Sequence, residues 1–334
     1  MKISVFGSGA WGIAIGILLH GNGHEVTLRS SHDDVTRLLR DTRSNPHLKD
    51  IIIPEGIRIA ETLDEATAGA EIAVIATSSV ALREIAVKLA EKLAPECVIV
   101  CVSKGIERDT AMLFSEVLRG AFGEERKLVS LSGPTHAEEV ARKIPTACVA
   151  ASRDRDAAEL VQDVFMNEDF RVYTSDDVVG VELGAALKNV IALGAGACDG
   201  LGYGDNTIAT LATRGLTEIA HLVIALGGRR ETVAGLAGLG DLIVTCTSRH
   251  SRNRRAGVLI GQGATVEDAM REVGAVVEGY YAAQAAHLLA ARAGVDMPIC
   301  EETYRVLYEG KAPRAAISYL MTRTKRSETE TNFV

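Results

Sequence analysis

Two lysines stand in sequence contexts where a charged side chain is costly. Lys188 lies with Asn189 in an apolar stretch of helical spacing, GVELGAALKNV at residues 180–190. A lysine removed from water near another cation has its charged form disfavoured, so its pKa falls toward the range of a useful acid or base. Lys104 follows an apolar strand-like run and precedes Gly105, so it could extend into a ligand crevice. The alternatives are a Lys188 that reaches water from a domain seam and a Lys104 that is an ordinary surface lysine.

A second set of reactive side chains follows in residues 235–254, GLAGLGDLIVTCTSRHSRNR. Asp241 begins an apolar run after several glycines and could orient a lysine by ion pairing. Hydroxyl, guanidinium and amide donors come next and suit a phosphate monoester, because arginine binds phosphate with two parallel hydrogen bonds and a helix N-terminus adds more. These donors are Ser248, Ser251, Arg252 and Asn253. A solvated helix face or a nucleic-acid patch would also explain the basic residues of 249–255.

A glycine-rich turn near the N-terminus predicts a bound dinucleotide. Residues 2–12 read KISVFGSGAWG, in which Gly7, Gly9 and Gly12 fit the pattern G-x-G-x-x-G. Such glycines allow a tight turn, close approach of the main chain to a pyrophosphate and close packing of helix on strand. The turn follows a strand-like run and opens an apolar helix, whose free N–H groups favour an anion. A packing turn that binds nothing is the alternative.

The end of the second strand-like run bears on the choice of coenzyme. NAD-selective sites place an acid there to bind the ribose 2′-hydroxyl, whereas this chain has LRSSH at residues 28–32. An arginine and two hydroxyls suit a 2′-phosphate, so we favour NADP(H), with Arg29 and Ser31 as contacts. Asp33 and Asp34 follow closely and leave NAD(H) as the second candidate. A solvated Arg29 without a ligand is the alternative.

The hydrophobic pattern predicts the elements that must position these side chains. Up to about residue 175, continuous apolar runs alternate with helical stretches, as in a doubly wound, mostly parallel sheet that is covered on both faces. The strand-like runs are Ile3–Phe6, Glu25–Leu28, Glu71–Ala76, Cys97–Val102, Leu128–Leu131, Ala147–Ala150 and Phe170–Tyr173. The helical stretches are Trp11–His20, Val35–Arg40, Val80–Leu93 and Ala111–Arg119.

From about residue 181 the strand pattern ends, and Ala, Leu and Gly dominate. Helical spacing then covers five stretches, 182–198, 206–226, 265–273, 279–293 and 300–309. We therefore predict an α/β Rossmann-like doubly wound sheet followed by an all-α C-terminal domain. The NAD(P)-binding domain would span 1–180 and the helical substrate and catalytic domain 181–334.

Composition and charge exclude several other classes. The 334 residues carry a net charge of −8 and have a pI of about 5.6, which argues against a general binder of nucleic acid or anionic membranes. None of the six cysteines has C-x-x-C or zinc-site spacing, so we expect no metal and a reducing compartment. The sequence has no uninterrupted apolar run of about 18 residues and no evident signal peptide. We therefore expect a cytoplasmic protein without a membrane span.

A series of motifs spans nearly the whole chain. They are GSGAWG (7–12), SKGIE (103–107), SGPTHAEEV (132–140), PTACVA (145–150), VELGAALKNV (181–190), GYGDNT and TRGLTEI (within 202–219), GLAGLGDLIVTC (235–246), SRNRRAG (251–257) and VVEG (276–279). In this order they resemble the bacterial-type NAD(P)-dependent glycerol-3-phosphate dehydrogenases. The resemblance implies reversible reduction of dihydroxyacetone phosphate to sn-glycerol 3-phosphate, which feeds phospholipid synthesis, and it favours a homodimer.

By the same resemblance, Lys188 is the acid that protonates the carbonyl oxygen, and Lys104 and Asp241 complete the catalytic set. The predicted substrate contacts are Lys104, Gly133, Thr135, Lys188, Asn189, Asp241, Ser251, Arg252 and Asn253. The coenzyme contacts, predicted from the turn, the strand end and the resemblance together, are Gly7, Gly9, Ala10, Trp11, Gly12, Arg29, Ser31, Lys104, Ala137, Arg252, Val276 and Glu278.

The chain departs from the family pattern at several points. The second strand ends without the usual aromatic, and residues 45–50 read NPHLKD, also without an aromatic. Residues 77–79 are Thr-Ser-Ser where Val-Pro-Ser is usual, and Ala185 replaces a glycine. All but the last departure lie on the coenzyme side, so they bear on coenzyme preference more than on the reaction.

Three rival functions stay open at this point. A related two-domain dehydrogenase of a 3-hydroxy acid or sugar acid would share the coenzyme turn, but the donors of 251–253 fit phosphate better than a carboxylate alone. A non-catalytic NAD(P)-binding redox sensor would not need Lys104, Lys188 and Asp241. A nucleic-acid binder would use 249–255, against the acidic charge of the chain and without interleaved aromatics.

Overall fold

A computed structural model describes residues 1–48, 50–325 and 327–328. Within these residues, eight strands form one sheet in the order β3-β2-β1-β4-β5-β6-β7-β8. The strands are β1 (Lys2–Phe6), β2 (Glu25–Arg29), β3 (Arg58–Ile59), β4 (Ile72–Ile75), β5 (Val98–Cys101), β6 (Leu128–Ser132), β7 (Thr146–Ala151) and β8 (Phe170–Ser175). Neighbours in the sheet are parallel except β6 and β7, which are antiparallel.

The seven strand-like runs predicted from the sequence are all strands. In the central β4, Ile72 and Val74 contribute to one apolar core, and Ala73 and Ile75 contribute to another on the opposite face. Both faces are covered, so the run is apolar throughout and does not alternate with polar residues. The strand that the sequence missed, β3, has two residues at the sheet edge, too few for a periodicity to show. The predicted doubly wound, mostly parallel sheet is confirmed.

Helices connect the strands and cover both faces of the sheet. They are α1 (Ala10–Gly21), α2 (Asp33–Thr42), α3 (Leu63–Thr67), α4 (Leu82–Ala90), α5 (Phe114–Phe122), α6 (Ala137–Val140) and α7 (Arg155–Phe165). The stretch predicted as helical from Ala111 becomes helical only at Phe114. Ala111 has a φ of 58°, which lies outside the right-handed helical region.

After β8 the described chain is helical, as predicted. The helices are α8 (Val178–Gly200), α9 (Asp205–Ala225), α10 (Arg230–Val233), α11 (Asp241–Thr247), α12 (Arg252–Gly261), α13 (Val266–Val273), α14 (Glu278–Ala293), α15 (Pro298–Tyr308) and α16 (Pro313–Met321), with a π-helical turn at Leu236–Gly240. Helix α8 begins at Val178 and crosses the predicted boundary at 180 and 181, which stays a prediction. Residues 326 and 329–334 of the predicted second domain lie outside the described residues.

Helix α8 is the axis of the helical part, and nearly all of its 23 residues are buried. Helix α12 packs against it at very short range. A Cβ at Gly196 would lie 2.1 Å from the carbonyl oxygen of Arg254, and a Cβ at Gly257 would lie 2.0 Å from that of Leu193. Only glycine allows this approach, so the small residues of both helices determine where the N-terminus of α12 lies relative to α8.

Two helices, α8 and α9, are long and apolar enough to cross a membrane by length and composition alone. In α8, 89% of the most apolar window is buried inside the protein, whereas in α9 the buried share is 33%. Core helices of globular proteins have the same length and composition. These two properties are therefore weak evidence for a membrane span.

Candidate active site

The carboxylate of Asp241 lies between two lysine ammonium groups. Its Oδ1 is 2.9 Å from Lys188 Nζ, and its Oδ2 is 2.8 Å from Lys104 Nζ. The side chains of Asp241 and Lys188 are almost fully buried, and that of Lys104 is 18% exposed. We call these three residues the charge cluster. The structure thus brings together the three residues predicted as catalytic. Lys104 follows β5, Lys188 lies on α8 and Asp241 begins α11.

Burial and mutual attraction set the protonation of the charge cluster. Burial lowers the pKa of Lys188 to about 8, while the attraction of Asp241 opposes this shift and the repulsion of Lys104 adds to it. Burial alone would raise the pKa of Asp241, but the two lysines outweigh it and hold that pKa below its usual range. Asp241 is therefore an anion at neutral pH, and Lys188 can give or take a proton near pH 8.

Lys188 has a second anchor that the sequence analysis missed. Its Nζ donates to Thr245 Oγ1 at 2.7 Å, and that hydroxyl donates to the main-chain oxygen of Asp241 at 2.6 Å. Thr245 lies one helical turn after Asp241 on α11, on the same face of the helix. This i, i+4 spacing from a predicted site residue was the signal that could have identified it.

Lys104 is held by the turn that follows β6. Its Nζ donates to the carbonyl oxygen of Gly133 at 2.7 Å and to Thr135 Oγ1 at 3.2 Å. A Cβ at Gly133 would lie 2.8 Å from the Cα of Cys148, so only glycine fits where the turn crosses β7. The predicted contacts Gly133 and Thr135 therefore lie beside Lys104 at the carboxyl edge of the sheet, where open α/β folds bind ligands.

The π-helical turn at Leu236–Gly240 delivers Asp241 to the charge cluster. A Cβ at Gly238 within it would lie 2.0 Å from the carbonyl oxygen of Val233, so the main chain can pack here only with glycine. Single π-helical turns occur often at functional sites. Gly238 of the GLAGLGD motif is therefore required for the path of the chain, and this path brings the side chain of Asp241 into the interior.

The N-terminus of α12 carries the residues predicted to bind phosphate. Ser251 caps the helix, and its Oγ accepts a hydrogen bond from the main-chain N–H of Arg254 at 3.2 Å. Arg252 is exposed in the first turn, so its guanidinium is accessible to a ligand. Free main-chain N–H groups and a guanidinium at one helix end suit an anion.

The side chains of Asn189 and Asn253 are largely used within the protein. Asn253 Nδ2 donates to Asn189 Oδ1 at 2.8 Å, and Asn253 Oδ1 accepts from the main-chain N–H of Gly279 at 2.8 Å. Asn189 Nδ2 donates to the carbonyl oxygen of Ala185 at 3.3 Å. This asparagine bridge joins α8, α12 and α14. It leaves Asn253 its main-chain N–H and one amide hydrogen for the predicted substrate contact.

The glycine turn lies between the ends of β1 and β4, where the strand order reverses. Gly7 has a φ of 117°, and a Cβ there would lie 2.4 Å from the carbonyl oxygen of Ala76. A Cβ at Gly12 would lie 1.9 Å from the carbonyl oxygen of Gly7, whereas a Cβ at Gly9 meets nothing within 4 Å. Gly7 and Gly12 therefore form the turn itself, and Gly9 leaves space where a pyrophosphate can approach the main chain.

Side chains from other elements brace the glycine turn. Trp11 Nε1 donates to the carbonyl oxygen of Val102 at 3.1 Å, which ties the start of α1, with the predicted contact Ala10, to the end of β5. Asn45 Nδ2 donates to the carbonyl oxygen of Ser8 at 2.8 Å. Asn45 was not predicted as a site residue, although its loop departs from the family pattern. Lys49 of that loop lies outside the described residues.

Buried polar atoms without a partner mark the same edge of the sheet. Within the described residues, six side-chain atoms are closed to water and make no hydrogen bond, and one of these, Glu302 Oε2, is ion-paired with Lys311. Five of them lie at or just beyond the carboxyl ends of β2, β4 and β6: Arg29 Nε, Thr77 Oγ1, Ser79 Oγ, Ser132 Oγ and His136 Nε2. An unpaired buried polar group costs about 1–3 kcal/mol, so this concentration indicates that a polar ligand completes the edge. With the space at Gly9, these residues fit a dinucleotide.

The two residues predicted to receive a 2′-phosphate differ in their contacts. Arg29 Nη1 donates to Thr36 Oγ1 at 3.2 Å, and its Nη2 lies 3.8 Å from Asp33 Oδ1. Ser31 is exposed in the same loop. Asp33 is 85% exposed, so its attraction to Arg29 is weak and a phosphate can replace it.

The remaining predicted coenzyme contacts come from helix starts and a loop. Glu278 begins α14, and its Oε1 accepts from the main-chain N–H of Ser79 at 3.3 Å. Burial raises the pKa of Glu278, against the effect of that hydrogen bond. Ala137 begins α6 beyond β6, and Val276 lies in the loop before α14. Glu278 thus joins the helical part of the chain to the end of β4.

The cysteines and acidic side chains form no metal centre in the part of the chain that the structure describes. No group of three or more His, Cys, Asp or Glu side chains there could hold a metal ion. All six cysteines are buried and free.

Comparison with known proteins identifies the family to which this geometry belongs. The family described as NAD-dependent glycerol-3-phosphate dehydrogenase matches with its N-terminus over residues 2–158 and with its C-terminus over residues 177–318. The chain belongs to this family. The resemblance inferred from the motifs is confirmed, and so is the predicted class of NAD(P)-dependent oxidoreductase.

Individual relatives agree with the family assignment. The chain is 52% identical over 328 residues to a protein of Thermoanaerobacter sp. (strain X514) named glycerol-3-phosphate dehydrogenase [NAD(P)+], with 98% of this chain and 99% of the relative covered. It is 48% identical over 330 residues to a protein of the same name from Fusobacterium nucleatum, with 98% of each covered. The crystal structure of glycerol-3-phosphate dehydrogenase from Coxiella burnetii superposes with a TM-score of 0.93 at 34% identity, covering 96% of this chain and 99% of that one.

The substitutions Gly12→Ala and Gly9→Ala should separate the two roles of the glycine turn. Gly12→Ala forces a Cβ against the main chain and should lower the free energy of unfolding of the coenzyme-free protein by about 1–3 kcal/mol. Gly9→Ala should change that free energy by less than about 1 kcal/mol. It should nevertheless weaken NADPH binding about tenfold or more, because the methyl group takes the space of the pyrophosphate. Urea unfolding and fluorescence titration measure the two effects, and a Gly9→Ala protein with unchanged NADPH affinity would contradict the assignment.

Proposed function

We propose that this protein catalyses reversible hydride transfer between NAD(P)H and dihydroxyacetone phosphate, which gives sn-glycerol 3-phosphate for glycerophospholipid synthesis. The observation that carries the proposal is the charge cluster. It holds a buried lysine with a pKa lowered to about 8, paired with an aspartate. The names of the relatives supply the substrate, and the donors at the start of α12 support a phosphorylated one.

Lys188 is the proton donor in reduction of the ketone. Negative charge develops on the carbonyl oxygen as its carbon is reduced, and a lysine of pKa about 8 can deliver a proton there near neutral pH. Asp241 and Thr245 hold its ammonium group at 2.9 and 2.7 Å, so the donor has little side-chain freedom left to lose. Lys104 adds a second positive charge that stabilises the developing alkoxide. When bound, NAD(P)H supplies the hydride.

The substrate phosphate lies at the N-terminus of α12. Arg252 offers two parallel N–H donors, and the main-chain N–H groups of Arg252 and Asn253 lie in the same first turn. Gly133 and Thr135 contact the other side of the substrate, next to Lys104. The phosphate then fixes the distance between the ketone and Lys188, which is what distinguishes this site from one for a simple hydroxy acid.

The coenzyme lies along the carboxyl edge of the sheet. The turn of Gly7, Gly9 and Gly12, with Ala10 and Trp11, holds its pyrophosphate. Arg29 and Ser31 receive a 2′-phosphate, so NADP(H) is preferred over NAD(H). The contacts nearer the charge cluster are Lys104, Ala137, Arg252, Val276 and Glu278. The hydrogen bond of Glu278 to the end of β4 supports its placement among them.

The proposed organisation is a cytoplasmic homodimer with a coenzyme domain at 1–180 and a substrate domain at 181–334. The last strand ends at Ser175, and the N- and C-terminal family matches are separate, which supports the division. Six buried free cysteines favour a reducing compartment. Helix α9 is apolar and only one third buried, a property of a helix that another subunit can cover.

Oxidation of NADPH by the purified protein should require a phosphorylated ketone. Dihydroxyacetone phosphate should be reduced with a kcat/KM at least about a hundredfold above that of unphosphorylated dihydroxyacetone, since hydrogen bonds to a charged group contribute about 1.5–3 kcal/mol each. Arg252→Leu should remove most of this difference, because it should slow the phosphorylated substrate far more than the unphosphorylated one. Turnover of a 3-hydroxy acid in its place would support the rival dehydrogenase.

The substitution Lys188→Met should lower kcat by about 10²–10⁴-fold, which is the usual contribution of a positioned acid. NADPH binding should change little, because the methionine keeps most of the side-chain volume. In the wild type, ketone reduction should slow above pH about 8, since only the protonated lysine can donate. The residual activity of Lys188→Met should lack this decline. If Lys188→Met kept full turnover and still slowed above pH about 8, Lys188 would not be the proton donor.

The substitution Arg29→Leu should shift the coenzyme preference toward NADH. Loss of the guanidinium should raise the KM for NADPH about tenfold or more, because a charged hydrogen bond to phosphate contributes about 1.5–3 kcal/mol. The KM for NADH should hardly change. Arg37→Leu, an exposed position on α2, is the control and should alter neither value. Equal losses with both coenzymes in Arg29→Leu would mean that Arg29 supports the loop and does not read the 2′-phosphate.

A further inference from the structure

Thr77 lies at the point of the sheet where a dinucleotide is best placed to bind. The chain runs from β1 outward to β2 and β3 and then returns to β4 on the other side of β1. Between the carboxyl ends of β1 and β4 the connections therefore leave in opposite directions, which opens a crevice in folds of this type. Thr77 is the second residue after β4, which ends at Ile75.

The main chain of Thr77 is in contact with the glycine turn and is held in place. A Cβ at Gly7 would lie 2.4 Å from the carbonyl oxygen of Ala76 and 3.1 Å from the main-chain nitrogen of Thr77. On its other side, the carbonyl oxygen of Thr77 accepts a hydrogen bond of 2.6 Å from Ser103 Oγ. Position 77 is thus packed between the turn that approaches the pyrophosphate and the loop that leads to Lys104.

The hydroxyl of Thr77 has no partner among the described residues, and its Oγ1 is closed to water. A buried hydroxyl in that state is unfavourable, whereas a valine of the same shape would not be. Rotation about χ1 moves the hydroxyl between staggered positions without moving the main chain. A ligand oxygen that enters the crevice can therefore be met by this donor at little conformational cost.

We propose that Thr77 Oγ1 donates a hydrogen bond to an oxygen of the bound dinucleotide, either on the pyrophosphate or on the ribose next to it. The inference rests on the proposed use of NAD(P)H and adds a residue to the coenzyme contacts. The inference is supported by the unpaired hydroxyl of Thr77 and by the position of this residue in the sheet. The packing of its main chain against Gly7 puts Thr77 beside the proposed pyrophosphate site. The threonine is then unsatisfied in the free protein and satisfied in the complex.

The test uses two readouts on the full-length protein. The dissociation constant for NADPH is measured by fluorescence of Trp11, the single tryptophan, which lies in the glycine turn. The free energy of unfolding without coenzyme is measured in urea. Thr77→Val should weaken NADPH binding roughly two- to twelvefold, which corresponds to about 0.5–1.5 kcal/mol for one hydrogen bond, with no loss of stability in the free protein. Thr77→Ser, which keeps the hydroxyl, should bind NADPH nearly as well as the wild type.

Thr303→Val is the matched control. The hydroxyl of Thr303 is buried and already donates to the carbonyl oxygen of Ile299 at 2.8 Å in α15, so its removal should leave NADPH affinity unchanged. Unchanged NADPH affinity in Thr77→Val would overturn the inference. The inference would also be overturned if Thr77→Val lowered the free energy of unfolding of the coenzyme-free protein by as much as it lowered the free energy of NADPH binding. The hydroxyl would then already have a partner in the free protein, such as a buried water. A wild type that binds neither NADPH nor NADH would instead contradict the proposed function.

Discussion

The active site depends on one constraint: a lysine must be buried enough to lose its proton near neutral pH and yet must not be left unpaired. An isolated charge in a protein interior costs several kcal/mol. Here one carboxylate, that of Asp241, serves both Lys188 and Lys104, so the charge cluster keeps a net positive charge. The pairing makes burial tolerable, while the excess positive charge and the burial together keep the pKa of Lys188 low. The same excess charge attracts an anionic substrate.

Helix α8 positions the buried lysine relative to the rest of the site. Near its start, Glu182 accepts hydrogen bonds from Ser130 Oγ and from the main-chain N–H and Oγ of Ser115, and so is bound to the sheet and to α5. Further along, Lys188 joins the charge cluster, and Asn189 begins the asparagine bridge to α12 and α14. A helix rises about 1.5 Å per residue, so these three attachments fall within roughly 10 Å. One helix thus sets the proposed coenzyme edge, the proposed acid and the proposed phosphate site relative to one another.

The carboxyl edge of the sheet contains buried polar atoms that have no hydrogen-bond partner in the described residues. Most buried polar groups in proteins find partners, and those of the charge cluster do. The unpaired atoms of Thr77, Ser79, Ser132 and His136 lie at or just beyond the carboxyl ends of β4 and β6. Unpaired groups of this kind make the free protein less stable, and a polar ligand at this edge would satisfy them. The unpaired groups at this edge therefore lower the stability of the free protein, and the hydrogen bonds they can form add to the affinity for a polar ligand.

The sequence by itself determined seven of the eight described strands and the helical second half, and it gave the candidate site residues, because burial on both sheet faces, helical spacing and glycine patterns are local properties of the chain. The glycine turn and Lys188 could be read in this way. Which side chains meet could not be read, since Lys104 and Asp241 are 137 residues apart and their contact exists only in the folded chain. The position of Thr245 on the same helix face as Asp241 is local, but its contact with Lys188, 57 residues away, exists only in the folded chain. The hydrogen bond between the asparagine amides likewise follows from the close packing of α12 on α8. The tertiary structure decided these pairings because hydrogen bonds and ion pairs form between neighbours in space, whatever their separation along the chain.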